Sequence, residues 1–534
     1  MGAVVSDMVS LQSWFSRALG AGWRLPAAQT GVDVSRAIGI EMRDGVRLST
    51  DLYRPRGTAR APTVLMRSPY GRGHVFGLVA RLFAERGYAV VLQSVRGTFG
   101  SQGRFDPFFQ ERDDGLDAVD WIERQPWFDG KLALFGTSYL GQVVWAVAGE
   151  LGERVSAITV VQSASDFHAA IYGGRAFRLQ DFLQWTQLMV LQERGHPLLR
   201  LLAKRRDARR LQRHHEELPL RTLDQRAIGE PVAFWRSWID HGVDDPLWQA
   251  IDDHARLDRV TAPVNLVGGW SDVFLDTQER DWRRLAALGK TVRWTVGPWT
   301  HADFSSQGEG MRQSLDWFDQ HLRGRPPSAA APVRLWINGA NEWRDFADSA
   351  LPAGALSLDL DADGALRPEA TIRGTRTFFY RPDDPTPSVS GPTLATRTGR
   401  SDMKSFSSRA DVLTFGSAPL AKALELLGRA RVTLTISADR PDHDVYVCLC
   451  DTDSTGRSIN MTDGYLRLTE RDGPPQRRRV EIECLPTAWR VAAGHRLMLM
   501  IAAGAFPRFD RHPASGGAIE ITVHCAPGAS ALAL

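Results

Sequence analysis

The feature that most limits the fold is an alternation that runs from residue 38 to 165. Short apolar runs, PTVLMRSPYG (62–71), YAVVLQSVRG (88–97), KLALFG (131–136) and VSAITVVQSA (155–164), are separated by LVARLFAERG and DDGLDAVDWIERQP, whose apolar residues recur at helical spacing. A strand that is apolar along its whole length must be buried on both faces, which a parallel sheet covered by helices achieves. The alternation returns at APVNLVGGWSD (262–272) and VRWTVGPWTH (292–301), and the helical run MRQSLDWFDQHL follows.

The character differs elsewhere. Residues 166–255 are rich in Leu, Arg, Gln and Trp and contain no convincing strand, so they read as a helical cap inserted between two parts of one sheet. Within them LLRLLAKRRDARRLQRHHEEL carries mixed charges with Leu at helical spacing, the pattern of a solvated helix face rather than a nucleic-acid patch. The adjacent His214 and His215 point to different parts of such a helix and make a poor metal pair. Beyond residue 327, short β-rich runs such as RVTLTISAD, DVYVCLCDTD and HRLMLMIAAG alternate with Gly, Pro, Asp and Ser turns, which predicts an all-β sandwich or jelly roll. RPDDPTPSVSGPT (381–393) reads as an exposed loop.

With 534 residues the chain exceeds one hydrophobic core. A formal net charge of +3 is nearly neutral for this length and argues against nucleic acid or an anionic membrane as partner. Four Cys, all in the last fifth and without C-x₂-C pairs, read as buried free thiols. The N-terminus lacks a basic region before its apolar residues and is interrupted by Asp7, a poor signal peptide, though an amphipathic helix would fit it. No run approaches the ~20 apolar residues of a membrane helix. The expectation is a soluble, cytoplasmic protein with no membrane partner; a homodimer is left open.

The chemistry centres on GTSYLG (136–141), placed between the strand KLALF and the helical run YLGQVVWAVAGE. A tight strand-to-helix turn lifts a Ser hydroxyl above the sheet edge and needs small neighbours, the nucleophile elbow of an α/β-hydrolase. Here the second Gly stands at 141 rather than 140. Ser138 then needs a base, and the base an orienting acid, following in the order Ser, Asp, His. Asp272 and His301 both end strand runs in that order, with Asp276 as reserve acid. The Tyr139 backbone N–H, directly after the nucleophile, is one expected oxyanion donor. The loop RSPYGRG offers the phenol of Tyr70 as a second, although from the sequence alone Tyr70 is equally a loop aromatic.

Taken together, EMRDGVRLSTDLYRP, RSPYG, SVRGTFGSQGRF, DAVDWIERQPWFDGKLALFGTSYLG, GGWSDVF and GPWTH resemble the cocaine esterase-like (CocE/NonD) branch of the X-prolyl dipeptidyl peptidase superfamily. DVLTFGSAPL, DHDVYVCLCDTDSTGRSINMTDGYLRL and FPRFDR resemble its jelly-roll domain. The likeness spans about residues 38–525. It implies an α/β-hydrolase domain in two parts (1–165 and 256–326), a helical cap (166–255) and a C-terminal jelly-roll β-sandwich (327–534). It also implies catalytic Ser138, Asp272 and His301, an oxyanion hole of Tyr70 and Tyr139, and no cofactor or metal. Phe274, Trp270 and Trp299 would line the acyl pocket, and Trp185 of the cap would face the substrate. The chain departs from the family where Ser94-Val95-Arg96-Gly97 replaces Asp-x-Arg-Gly and where Gln102 replaces a frequent acid.

The resulting expectation is a serine esterase acting on a small-molecule ester or amide through an acyl-enzyme. α-Amino-acid esters and X-Pro peptides carry an ammonium that calls for a carboxylate cluster, and the sequence identifies none, so neutral acyl groups are favoured. Acyl transfer to an alcohol or amine is the related alternative. A non-catalytic jelly-roll binding protein is the alternative from another class.

Overall fold

A computed structural model describes residues 2–194, 210–211, 213–215, 217–326, 330–347, 356–394, 399–512 and 517–534. Helix α1 (Gly2–Gly22) precedes a ten-stranded sheet built from β1 (Val32–Glu41), β2 (Arg47–Pro55), β3 (Ala61–Ser68), β4 (Ala89–Ser94), β5 (Phe128–Thr137), β6 (Ala157–Val161), β9 (Val264–Ser271), β10 (Val292–Thr300), β11 (Val333–Ile337) and β12 (Glu342–Phe346). A small hairpin of β7 (Tyr172–Gly173) and β8 (Ala176–Phe177) lies outside it, in the segment expected to hold no strand.

The sheet runs in the order β1-β2-β4-β3-β5-β6-β9-β10-β11-β12. Its centre, from β4 through β11, is parallel, and the pairs β1–β2, β2–β4 and β11–β12 are antiparallel. The strands β4 and β6 are buried at every residue, as continuous apolar runs require. Helices α3 (Glu111–Glu123), α4 (Tyr139–Leu151) and α9 (Leu275–Ala287) fill one face through Val119, Trp145 and Trp282. Helices α2 (His74–Ala84) and α10 (Phe304–Arg323) fill the other through Phe83 and Phe318. The strands β11 and β12 follow residue 327, where the sequence suggested the β-sandwich begins, yet Trp294 of β10 pairs in register with Val333 and carries the sheet onward.

The cap leaves the sheet after β6 and contains α5 (Phe167–Ile171), α6 (Leu179–Leu191), α7 (Leu223–Ala227) and α8 (Ala233–His241). Most of its Arg-rich run, 195–209, lies outside the described residues. Its two ends are tied together: Asp166 bridges to Asp252, and the buried Asp281 accepts from the Ser165 N–H at 2.8 Å and from His254 Nδ1 at 2.9 Å.

The C-terminal domain is all-β, with an eleven-stranded sheet that packs a large apolar core and a second, smaller cluster. Arg478–Glu483 is buried at every second residue, the alternation of a half-solvated strand, whereas His443–Thr452 is buried throughout. All four cysteines are free and buried. Arg429 joins this domain to the first, donating to Asp276 at 2.6 Å and Glu279 at 2.6 Å. The segment 381–393 is a loop, exposed at Arg381, Asp383 and Asp384 as expected but buried at its end. Ser390 and Thr393 are buried, because Arg508 donates to the Ser390 carbonyl and the next residue, Leu394, donates its N–H to Asp181 of the cap.

Candidate active site

Ser138 stands between β5 and α4 at φ 56° and ψ −128°, a left-handed conformation that non-glycine residues seldom adopt. The turn is tight enough to exclude side chains on either side. A Cβ on Gly136 would lie 2.1 Å from the Leu140 carbonyl oxygen, and one on Gly141 would lie 2.5 Å from the Ser163 Cβ. The second glycine is therefore needed at 141, where α4 passes β6, whereas Leu140 turns into the core under α2 and α10. The Ser138 N–H donates to the Val161 carbonyl at 3.0 Å, tying the elbow to the neighbouring strand.

His301 and Asp272 follow the ends of the adjacent strands β10 and β9. His301 Nδ1 lies 2.7 Å from Asp272 Oδ2, and Nε2 lies 3.0 Å from Ser138 Oγ. The second Asp272 oxygen accepts the Phe274 N–H at 2.8 Å, which holds the buried carboxylate in place. Asp276 is occupied elsewhere: although burial opposes its ionisation, Arg429 and Arg280 hold its carboxyl below the usual carboxylate range. The arrangement can pass a proton from Ser138 Oγ to Nε2 while Asp272 fixes the imidazole through Nδ1.

Two potential donors lie close to Ser138 in the chain or in space. Helix geometry leaves the N–H of Tyr139, the first residue of α4, without an intrahelical acceptor. Tyr70 accepts from the Trp185 indole at 3.0 Å, which leaves its own proton free to donate. Burial raises the Tyr70 pKa, against hydrogen bonds with Trp185 and Ser138, so the phenol stays protonated. Trp185 also stacks on the Tyr139 ring, centroids 5.8 Å apart.

Phe274 packs 5.6 Å from the His301 ring and 4.9 Å from Phe167. These belong to an aromatic cluster between cap and sheet that includes Phe108, Trp185, Phe234 and Trp238. Trp270 and Trp299, expected in the acyl pocket, lie outside that cluster. Trp270 points to the α9 face of the sheet, where its indole donates to the Trp336 carbonyl at 2.8 Å. Trp299 points to the opposite face, over Gly297 and against Trp343.

Glu111 had no motif to mark it. It is buried, accepts from the Tyr139 hydroxyl at 2.7 Å and pairs with Arg67 at 3.1 Å. Burial pushes its pKa up, and Arg67 opposes that. Asp181, one turn before Trp185 on α6, is buried with its carboxyl raised to about 6 by burial, Arg178 opposing. Among the described residues no group of three or more His, Cys, Asp or Glu is placed to hold a metal ion.

An elbow Ser, with His and Asp at the ends of successive parallel strands, defines a serine hydrolase of the α/β-hydrolase type. Residues 44–303 match the X-Pro dipeptidyl-peptidase (S15 family) model, and residues 328–525 match the X-Pro dipeptidyl-peptidase C-terminal non-catalytic domain. Cocaine esterase of Rhodococcus sp. (strain MB1 Bresler) is 30% identical, the alignment covering 91% of this chain and 93% of that protein. A putative serine esterase of Mycobacterium bovis is 26% identical over 90% and 92% of the two chains. The chain belongs to the cocaine esterase-like (CocE/NonD) hydrolase family of the X-prolyl dipeptidyl peptidase superfamily. Solved structures share the whole fold: an α-amino acid ester hydrolase has a TM-score of 0.78 at 21% identity, covering 96% of this chain and 97% of that one. A CocE/NonD family hydrolase from Staphylococcus aureus has 0.70 at 17%, covering 95% and 96%.

Proposed function

We propose that this serine hydrolase cleaves small, neutral carboxylic esters by two-step acyl transfer through Ser138. The carrying observation is the continuous hydrogen-bonded line from Asp272 through His301 to Ser138. His301 Nε2 takes the Ser138 proton as Oγ bonds to the carbonyl carbon. The Tyr139 N–H and Tyr70 O–H receive the oxyanion, and the alcohol leaves with the proton from His301. Water then loses a proton to His301 and attacks the acyl-enzyme, and the carboxylic acid departs as Ser138 recovers its proton. These steps use side chains, the Tyr139 backbone N–H and one water.

The aromatic cluster beside Ser138 suits an apolar acyl group. Asp181 stands next to the cation of Arg178, which weakens it as a seat for a substrate ammonium and supports neutral esters over α-amino-acid esters or X-Pro peptides. Among the described residues no helix is long and apolar enough to cross a membrane. Four unpaired cysteines suit a reducing compartment, so the reading places the enzyme in the cytoplasm.

Intact mass after fluorophosphonate treatment tests the mechanism. Ser138 Oγ displaces fluoride at phosphorus while its proton passes to His301, leaving one adduct. Wild type should carry that adduct and turn over a p-nitrophenyl ester; Ser138→Ala should do neither. A folded wild-type chain with no adduct and no turnover would sink the proposal.

A further inference from the structure

We infer that Gln162 is a positioning residue for the base, bracketing His301 from both sides; this rests on the triad reading above. The backbone ladder cannot hold this stretch. The register between β9 and β10 breaks between Gly297 and Thr300, and His301 and Ala302 follow the last paired residue. Ala302 has φ 56°, so the chain turns through a strained conformation directly after the imidazole. Such a turn persists only where its surroundings determine it.

Gln162 supplies that determination. It follows the last residue of β6 and is fully buried, with φ 48°, a second left-handed non-glycine residue facing the first. Its own N–H donates to the Val267 carbonyl at 2.7 Å, which fixes its backbone to β9. Its Nε2 donates to the Thr300 carbonyl at 2.7 Å, and its Oε1 accepts the Ala302 N–H at 2.9 Å. Ser306 Oγ and Gln307 Nε2, from the first turn of α10, approach the same Oε1 at 3.0 and 3.3 Å.

A carbonyl only accepts and a backbone N–H only donates, so these partners also fix which end of the amide is which. The side chain thus takes the place of a strand partner across residues 300–302, with His301 between its two arms. The residue before it, Val161, accepts the Ser138 N–H. One dipeptide therefore sets the backbone of both nucleophile and base, and through them the distance across which the proton moves. A glutamine serves where a carboxylate would not, because the bracket needs a donor and an acceptor without placing a charge beside the imidazole.

The test uses full-length Gln162→Ala and the isosteric Gln162→Glu, with wild type and His301→Ala as references. Reactive sites are counted by fluorophosphonate adduct, and rates are expressed per reactive site. Gln162→Ala should lower both the adduct-formation rate and kcat by about tenfold to a hundredfold, the cost of a misplaced catalytic group, with KM within about twofold of wild type. Gln162→Glu keeps the acceptor for Ala302 but sets an oxygen against the Thr300 carbonyl, and should lose rate in the same way. A residue that served only stability would lower the melting temperature or the number of reactive sites and leave both rates per site intact; that result overturns the inference. If the alanine chain does not fold, the glutamate chain decides alone. Wild-type labelling that vanishes in His301→Ala secures the underlying triad, whereas equal labelling of the two would sink the triad itself.

Discussion

Removing the Tyr70 hydroxyl tests the proposed oxyanion hole most directly, because Tyr70→Phe deletes one oxygen and keeps the ring. That ring stacks on Phe76 at 5.9 Å and meets Tyr139 edge-on at 6.5 Å, contacts a phenylalanine retains. Two consequences follow from the geometry. The tetrahedral intermediate loses one of its two donors, worth about a hundredfold in kcat, or about 2.7 kcal/mol. The Trp185 indole N–H loses the acceptor it holds at 3.0 Å, which costs about 1 kcal/mol of folding stability for a part-buried donor. The donor acts on charge that exists only in the transition state, so KM should stay near wild type while kcat and kcat/KM fall together. The assay is p-nitrophenyl ester hydrolysis at several chain lengths, per reactive site, with urea unfolding in parallel. A matched Trp185→Phe leaves the Tyr70 oxygen in place and should lose about tenfold at most, by loosening the phenol. Tyr70→Phe retaining kcat within threefold of wild type would refute the assignment and leave the Tyr139 N–H without its proposed partner.

Other consequences are equally measurable. Asp272→Asn should drop kcat by about 10⁴-fold with the fold intact, because the amide no longer holds the imidazole tautomer that accepts the serine proton; stopped-flow ester hydrolysis checks it, and near-normal turnover would transfer the acid's role elsewhere. His443 is buried in the β domain and its pKa is lowered from 6.5 to about 4, mainly by burial. The unfolded chain therefore binds the extra proton first, so its contribution is intact above pH 6.5 and is lost as pH falls toward 4, by about 3 kcal/mol. Urea unfolding across that window should show a shallower decline for His443→Gln than for wild type. Asp181 and Asp253, both raised to about 6, act with the opposite sign and cancel in the comparison.

Much of the architecture was legible because it rests on local periodicity. The runs at 62–71, 88–97 and 131–136 each carry an apolar stretch, and β3, β4 and β5 formed there as parallel neighbours. The short β-rich runs beyond residue 327, separated by Gly, Pro, Asp and Ser turns, likewise announced an all-β domain. Ser138, Asp272 and His301 came together because each closes an apolar run, and a parallel sheet carries all such ends to one edge. Trp270 and Trp299 stand apart from the aromatic cluster beside Ser138 for a related reason. Nearness to a catalytic residue in sequence does not say to which face a strand residue points, and these two indoles went to opposite faces of the sheet.

Propensity, periodicity and turn chemistry act over a few residues, and they suffice to read the elements, their alternation and the three residues proposed as the triad. What surrounds them follows from tertiary packing. Trp185 reaches Tyr70 across 115 residues, Glu111 reaches Tyr139 across 28, and Gln162 reaches Ala302 across 140. No local pattern encodes such contacts, because they depend on how the cap closes over the sheet and where each strand end falls. Polar side chains buried by that closure must find partners or forfeit the hydrogen bonds they made with water. In this chain those partners hold the proposed nucleophile, base and oxyanion donors in place.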